Sequence, residues 1–233
     1  MIDIVLIACN RLAFLKKNIE YINKRIKTPH RIIVVDNNSI REVGAYLDSA
    51  IEDDSVFGVL HNSKSENLCE CYNRALKYVK SDIFITTQDD LLVPRLEPDV
   101  IQQLIKLLKR DSEIGSVSCR IQRIPNIDKW DEELVPARKS FAAYFRIHRL
   151  ADIKQMGGFG DRKWDAGEFN KRMESIGKKC YWARDLWCNH LGYCENRGYP
   201  KWFVEQESFP YQRKQDYIRR PYPKIDSKTN KPV

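Results

Sequence analysis

The feature that most constrains the fold is an alternation of apolar strands and amphipathic helices over the first 90 residues. Strands are predicted at residues 4–8, 31–35, 56–60 and 83–87. The segments between them carry hydrophobic residues at helical spacing, as residues 12–26 do. Strands that alternate with helices in this way form parallel sheets with right-handed crossovers. We therefore predict an α/β fold, a three-layer α/β/α sandwich with a mostly parallel central sheet.

The second half of the chain is less regular. Its predicted elements are a helix from Pro98 to about Leu108, a strand at 114–119, a loop at 120–140, a strand at 141–150, a glycine-rich turn at 156–160, a helix at 165–177 and a strand at 181–187. This succession adds further strands and helices to the first four strands.

The net charge and the cysteines of the chain indicate its partners and its redox compartment. The chain of 233 residues has a formal net charge of +8, and much of the surplus lies from Arg197 onward. Such a charge suits a partner with phosphates, whether a nucleic acid, a nucleoside diphosphate or an anionic membrane surface. The seven cysteines include no CxxC pair, which disfavours structural zinc and favours a reducing compartment.

The N-terminus and the hydropathy of the chain indicate its location. The first seven residues contain an acid and no basic region, so they are predicted to form a strand rather than a signal peptide. No apolar stretch approaches the roughly 18 residues of a membrane span. We therefore expect a soluble, cytoplasmic protein.

Two adjacent carboxylates follow the fourth predicted strand. The run Ile83 to Thr87 has no polar alternation, which is typical of a strand covered on both faces, and Asp89 and Asp90 follow it after Gln88. Ligands bind at the carboxyl ends of strands in open α/β sheets. Because the two acids repel each other, they favour a bound cation such as Mg²⁺ or Mn²⁺, which in turn favours phosphates. The pair therefore predicts a nucleotide or nucleotide-activated substrate rather than a solvated turn.

A second polar turn follows the second predicted strand. Asp36 is succeeded by Asn37, Asn38 and Ser39. Residues of this type are common in ordinary strand-to-helix turns. The alternative is that Asp36 accepts hydrogen bonds from a nucleobase or a ribose, as an acid does in dinucleotide folds. No GxGxxG motif follows the first strand, which disfavours a dinucleotide site.

A third cluster lies at residues 164–172. Asp165, Glu168 and Arg172 are three and four residues apart, so a helix would place them on one face. An acid that caps an ordinary salt-bridged helix would explain the same pattern. The cluster follows the glycine-rich turn Gly157-Gly158-Phe159, and this order favours a lid over a site.

Taken in order, these motifs resemble a known family. Their order along the chain is similar to the order of the motifs in GT-A fold glycosyltransferases. The motifs are Cys9-Asn10-Arg11, Asp36 to Ser39, Asn67 to Leu76, Gln88-Asp89-Asp90, Gly157-Gly158-Phe159 and Asp165 to Arg172. The resemblance is to the large family-two-like group of nucleotide-sugar transferases and covers roughly residues 2–192. It implies one catalytic domain at 1–195, with a nucleotide-binding half at 1–95 and an acceptor-binding half at 96–195. Residues 196–233 would then be a basic, partly flexible segment.

The resemblance also implies a donor site. The positions that match nucleotide-binding residues of the family are Ala8, Cys9, Asn10, Arg11, Asp36, Asn67, Asn73, Gln88 and Asp89. Asp36 would bind the base, and residues 9–11 would shape the base pocket, largely through backbone atoms. Asn67 and Asn73 match polar positions of the helix below the nucleotide.

The same resemblance implies metal ligands and a general base. Asp90 would ligate Mn²⁺ or Mg²⁺ at the sugar diphosphate, and His190 is a second-choice ligand. Gln88 replaces the first acid of the family's metal motif, which weakens the link to the ribose. Ala166 stands where the family often has its base, so Asp165 and Glu168 are the base candidates and Asp161 is a distant third.

The resemblance implies transfer of a sugar from a nucleoside-diphosphate donor, most simply a UDP-sugar, to a hydroxyl of a glycan, a lipid-linked saccharide or a protein. A base opposite the leaving group implies inversion. Two alternatives remain. A nucleotidyltransferase would need a phosphate loop rich in glycine and lysine after the first strand, and Asn10-Arg11-Leu12 does not provide one. A nucleic-acid-binding module would need basic residues interleaved with rings on a sheet face, so we expect no nucleic acid partner.

Overall fold

The computed structural model describes residues 1–121, 133–137, 144–161 and 166–191. The strands are β1 (Ile2–Ala8), β2 (His30–Asp36), β3 (Gly58–His61), β4 (Ile83–Gln88), β5 (Leu91–Leu92), β6 (Ile114–Arg120), β7 (Leu134–Pro136), β8 (Arg146–Arg149), β9 (Lys179–Trp187) and β10 (Asn189–His190). The helices are α1 (Leu12–Arg25), α2 (Arg41–Glu52), α3 (Leu68–Leu76), α4 (Val100–Leu108), α5 (Leu150–Gln155) and α6 (Ala166–Ser175).

A central sheet holds eight of the described strands in the order β3-β2-β1-β4-β8-β6-β9-β7. The first four are mutually parallel, as the alternation of strands and helices predicts. Strand β8 is antiparallel to both β4 and β6, and β9 is parallel to β6. The sheet is therefore mixed, with parallel pairing concentrated in the half that precedes Asp89.

Helices cover both faces of this sheet, which confirms the predicted sandwich. Along β1, Ile4 and Leu6 belong to one buried cluster, whereas Val5 and Ile7 belong to another. The first cluster contains side chains of α1, α2 and α4, and the second contains those of α3, α5 and α6. Because successive side chains of a strand point to opposite faces, a strand with helices on both sides is apolar throughout.

The second half differs from the sequence prediction in three places. The predicted loop at 120–140 contains β7, whose Leu134 and Val135 pair with β9. Within the described residues the predicted strand at 141–150 is shorter, because β8 begins only at Arg146 and gives way to α5 after Arg149. Strands β5 and β10 form a separate two-stranded pairing that the sequence did not indicate. Such short strands have too few residues for a periodic signal.

Two further expectations concern the surroundings of the protein. The cysteines at positions 9, 69, 71, 119, 180 and 188 carry no disulfide. Among the described helices, none combines the length and apolar character needed to cross a bilayer. The predicted basic segment at 196–233 lies outside the described residues.

The parallel half of the sheet places the candidate residues at one edge. Ala8 is paired with Asp36, and Ile7 is paired with Gln88. The amide of Asn37 donates to the carbonyl of Ala8 (2.8 Å), and the amide of Asp89 donates to that of Ile7 (3.1 Å). Asp36 and the acidic pair therefore lie on either side of the carboxyl end of β1.

A buried aspartate joins α1, β2 and α4 at the opposite edge. Asp99 caps α4 by accepting hydrogen bonds from the amides of Ile101 (2.9 Å) and Gln102 (3.2 Å). It also accepts from the amides of Lys27 (2.9 Å) and Thr28 (2.7 Å), which connect α1 to β2. Burial raises the pKa of Asp99, but these hydrogen bonds outweigh burial and lower it below the ordinary value of 3.8.

We predict that Asp99→Ala destabilises the protein by about 3 kcal/mol, because it removes a helix cap and leaves buried amides without acceptors. The folded pKa is depressed, so this contribution is complete above the ordinary pKa and is lost as the pH falls through the folded pKa. Urea denaturation at pH 7 and at pH 3 should show the gap between wild type and variant closing at the lower pH. Asp53→Ala, which removes an exposed carboxylate, is the control and should have a clearly smaller effect. An equal effect of the two substitutions would contradict the role of Asp99.

Candidate active site

The centre of the candidate site is a buried carboxylate pair with one arginine. Asp89 is fully buried and Asp90 is 3% exposed. The guanidinium of Arg11 spans both: Nη1 lies 2.5 Å from Asp90 Oδ2, and Nη2 contacts Asp89 Oδ1. Asp89 Oδ2 also accepts a hydrogen bond from the amide of Cys9 (3.0 Å). The loop after β1 therefore provides both a cation and a backbone donor to the acids.

The electrostatics of the pair follow from its burial. Burial raises the pKa of Asp89 above its ordinary value; the charge of Arg11 opposes this change, and the neighbouring Asp90 adds to it. Burial alone would lower the pKa of Arg11, but the two carboxylates outweigh it and raise that pKa. Adjacent buried carboxylates therefore require positive charge close by, as the sequence suggests.

A buried asparagine holds the backbone that carries the pair. Asn18 of α1 is fully buried, and its Nδ2 donates to the carbonyl of Gln88 (2.9 Å) and to that of Leu91. These two carbonyls flank Asp89 and Asp90 in the chain. One amide group thus fixes both ends of the acidic turn against α1.

His190 lies beside the second acid. Strand β10 pairs with β5 so that His190 is opposite Leu91, and the amide of Leu191 donates to the carbonyl of Asp90 (2.8 Å). This pairing brings His190 Nε2 to 3.7 Å from Asp90 Oδ2. The two residues predicted as metal ligands, 100 positions apart in the chain, are therefore neighbours.

The donor set at this point fits a divalent cation. Asp90 Oδ1 is buried and has no hydrogen-bond partner among the described residues, so these residues leave one carboxylate oxygen for another ligand. Carboxylate oxygen and imidazole nitrogen suit Mn²⁺, and carboxylate oxygen suits Mg²⁺. Over the described parts of the chain, no three His, Cys, Asp or Glu side chains are grouped to hold a metal by themselves. Oxygens of a substrate or of water would therefore have to complete the coordination.

The predicted base-binding acid is rigidly held. Asp36 Oδ1 accepts from the amide of Ser39 (3.1 Å), and Oδ2 lies 2.9 Å from His61 Nδ1. Asn10 has a left-handed backbone (φ 59°), which asparagine tolerates, and its side chain accepts from the amide of Ile40 (2.8 Å). The turns after β1 and β2 therefore form one hydrogen-bonded unit.

Asn67 and Asn73 have structural contacts in this fold. Asn67 caps α3 in a reciprocal capping box with Glu70. Asn73 Oδ1 accepts from the amide of Phe159 (2.8 Å), and Asn73 Nδ2 donates to the carbonyl of Gly160 (2.7 Å). Asn73 thus connects α3 to the glycine-rich turn, and these contacts place both residues in the framework of the site.

Only part of the acidic cluster at residues 164–172 belongs to the described residues. Asp165 lies outside the described residues. Glu168 is exposed in the first turn of α6, and Asp161 is also exposed. Arg172 of the same helix donates to the carbonyls of Met156 (2.6 Å) and Gly158 (3.3 Å), so it holds the glycine-rich turn.

The sequence analysis missed three contacts of the site. It expected Arg11 to act largely through its backbone, whereas the guanidinium contacts both acids. It did not single out Asn18, although a polar residue between the buried Leu15 and Ile22 on the core-facing stripe of α1 is a usable signal. It also passed over His61, which is separated by 25 residues from the Asp36 that it contacts.

This architecture, with acids at the carboxyl edge of a sandwiched parallel sheet, is that of the GT-A fold glycosyltransferases. The family model described as Glycosyl transferase family 2 matches residues 3–164. The chain therefore belongs to glycosyl transferase family 2.

Comparisons with individual proteins agree with the fold. An uncharacterized protein of Haemophilus influenzae is 24% identical over 124 residues, which is 52% of this chain and 66% of that protein. The mannosyltransferase PcManGT from Pyrobaculum calidifontis, solved with GDP-Man and Mn²⁺, has a TM-score of 0.67 at 18% identity over 88% of this chain and 62% of that chain. GalNAc-T7, solved with UDP, GalNAc and Mn²⁺, has a TM-score of 0.66 at 14% identity over 82% and 44% of the two chains. S. aureus TarS 1-349, solved in complex with UDP-GlcNAc, has a TM-score of 0.60 at 12% identity over 81% of this chain and 57% of that chain.

These matches show the fold and family, and they also show a difference in length. The matched region spans 66% of the curated relative and 62% of the PcManGT chain. The activity, substrates and partners of the whole protein are therefore proposals.

We predict that Asn18→Ala weakens divalent metal binding about tenfold or more, because a residue that orients a ligand is lost. The measurement is Mn²⁺ titration in the presence of a nucleoside diphosphate, followed by electron paramagnetic resonance of free Mn²⁺. Asn23→Ala is the control, since Asn23 of the same helix donates to the carbonyl of Ser55 (3.0 Å), away from the acids. If both variants retain wild-type metal affinity, Asn18 does not orient the acidic turn.

Proposed function

We propose that the protein transfers a sugar from a nucleoside-diphosphate donor to a hydroxyl acceptor with the help of a divalent metal. The observation that carries this proposal is the buried Asp89-Asp90 pair, which lies across the end of β1 from Asp36. Family membership and the nucleotide-sugar and Mn²⁺ complexes of the structural neighbours support it.

Asp90 would hold Mn²⁺ or Mg²⁺, and His190, whose Nε2 lies 3.7 Å from Asp90 Oδ2, would be a second ligand. Bound there, the ion stabilises the negative charge that develops on the leaving diphosphate. The buried backbone around Asp90 is fixed by Asn18 and by the β5–β10 pairing, so the carboxylate needs little reorganisation when the donor binds. Such preorganisation is a major part of electrostatic catalysis.

The nucleoside would lie on the edge formed by the turns after β1 and β2. Asp36 would accept a hydrogen bond from the base, and Ala8, Cys9 and Asn10 would border the base through their backbone. We propose a UDP-sugar as the donor, with uridine favoured because UDP or a UDP-sugar is bound in GalNAc-T7 and TarS. Asn67 and Asn73 would support this edge from α3.

The acceptor hydroxyl would be activated from the side of α6. Asp165 or Glu168 would take its proton, and the exposed position of Glu168 leaves it open to an acceptor. A base on the face opposite the leaving diphosphate makes a single displacement with inversion the expected course. The acceptor class we propose is a hydroxyl of a glycan, a lipid-linked saccharide or a protein.

The first test is thermal unfolding with UDP, GDP or RNA, each with and without Mn²⁺. We expect a nucleoside diphosphate to stabilise the protein only with metal, by about 2–3 kcal/mol at a hundredfold excess over the dissociation constant. Asp90→Asn should abolish this stabilisation and lower turnover by about two orders of magnitude or more. Asp185→Asn, which alters an exposed acid, should leave both unchanged. Stabilisation by RNA without metal would instead support the nucleic-acid-binding alternative.

The second test concerns the base and the stereochemistry. Of Asp165→Asn and Glu168→Gln, one should keep donor binding and lose about 10²- to 10⁴-fold in turnover, which is the usual contribution of a general base. Glu174→Gln on the exposed side of α6 is the matched control. The product anomer, assigned by NMR, should be inverted relative to the donor. Retained configuration, or near-normal rates in both variants, would contradict this assignment.

A further inference from the structure

Arg11 is the residue whose contacts the proposed reaction leaves unexplained. Its two terminal nitrogens are divided between Asp89 and Asp90, and its side chain is 34% exposed although both acids are buried. It stands immediately before α1, so its guanidinium reaches the acids from the loop after β1. A cation in this position compensates the burial of two adjacent negative charges.

The same carboxylate oxygen faces both Arg11 and the second candidate ligand. Asp90 Oδ2 lies 2.5 Å from Arg11 Nη1 and 3.7 Å from His190 Nε2. A divalent ion shared by Asp90 and His190 would therefore lie next to the guanidinium. Two cations at that distance in a partly buried site repel each other strongly, so Arg11 and the metal compete for the acid.

Arg11 can leave without loss of the framework. Asp89 keeps its hydrogen bond from the amide of Cys9, and the acidic turn keeps its hydrogen bonds from Asn18. Arginine binds phosphate oxygens through the same fork that binds carboxylates. A nucleoside diphosphate brought to this edge would therefore offer the guanidinium a new partner.

On the basis of the proposed function, we propose that Arg11 is a positioning residue that serves as the counter-ion of Asp89 and Asp90 until metal and diphosphate arrive together. In the free protein the guanidinium occupies the acids and keeps the affinity for metal alone low. When donor and metal bind, Arg11 transfers from the carboxylates to the diphosphate. Metal and nucleotide binding are then coupled, and each strengthens the other by the same factor.

The test is Arg11→Met, which keeps an unbranched apolar side chain and removes the guanidinium and its charge. Calorimetric titration should show Mn²⁺ alone binding about tenfold more tightly to the variant, and UDP in saturating Mn²⁺ binding about tenfold more weakly. A purely structural role would weaken both, so the opposite signs identify the counter-ion function. Unchanged or weaker binding of Mn²⁺ alone to Arg11→Met would overturn the proposal.

Two further variants keep the test decisive. Arg31→Met removes an arginine from the buried Asp3 at the other end of β1, so it controls for the loss of a buried ion pair and should not alter Mn²⁺ affinity. If Arg11→Met does not fold, Arg11→Lys should show the same opposite changes at smaller size. If wild type binds no Mn²⁺ even with UDP or GDP, the proposed function itself fails. If wild type binds both and neither Arg11 variant gains affinity for metal alone, only the role of Arg11 fails.

Discussion

The structure depends on the compensation of two adjacent buried carboxylates. Burying Asp89 and Asp90 would be costly without positive charge and hydrogen-bond donors. The loop after β1 supplies both to the carboxylates, through the amide of Cys9 and the guanidinium of Arg11. The side chain of Asn18 holds the backbone of the same turn by donating to the carbonyls of Gln88 and Leu91. These contacts belong to the fold itself, so the positions of the two acids at the sheet edge are set by the folded chain.

A second set of contacts fixes the later half of the chain to this edge. Asn73 on α3 and Arg172 on α6 both hydrogen-bond to the glycine-rich turn between α5 and α6. Gly158 in that turn has a φ of 87°, and a Cβ atom there would lie 2.6 Å from Asn73 Oδ1. Only glycine fits this position without strain. The turn thus connects α6, which carries Glu168, to α3 on the same face of the sheet.

The sequence predicted secondary structure best where the buried strands and helices are long. The strands before Asp89 are apolar because both faces are covered, and their order alone predicts the parallel sheet and the edge at which the acids lie. The short strands β5 and β10 give no such signal, although their pairing is what brings His190 to Asp90. The contact of Arg11 with the acids is also invisible to pattern analysis, because it depends on a side-chain direction across 78 residues of sequence. Local propensity can predict elements, but these contacts require the tertiary arrangement.

The arrangement around Asp36 bears on which nucleotides the proposed site accepts. Each carboxylate oxygen has one partner, Ser39 or His61, and each can accept a second hydrogen bond. Facing the hydrogen-bonding edge of a base, this carboxylate favours a ring N–H, which uracil, thymine and guanine present. Adenine and cytosine present a ring nitrogen lone pair at the equivalent place, which the carboxylate repels. In the proposed site, Asp36 would therefore select a class of bases that includes those of both UDP and GDP. Discrimination within this class would fall to the space that the protein leaves beside Asp36, because a purine requires more room than a pyrimidine.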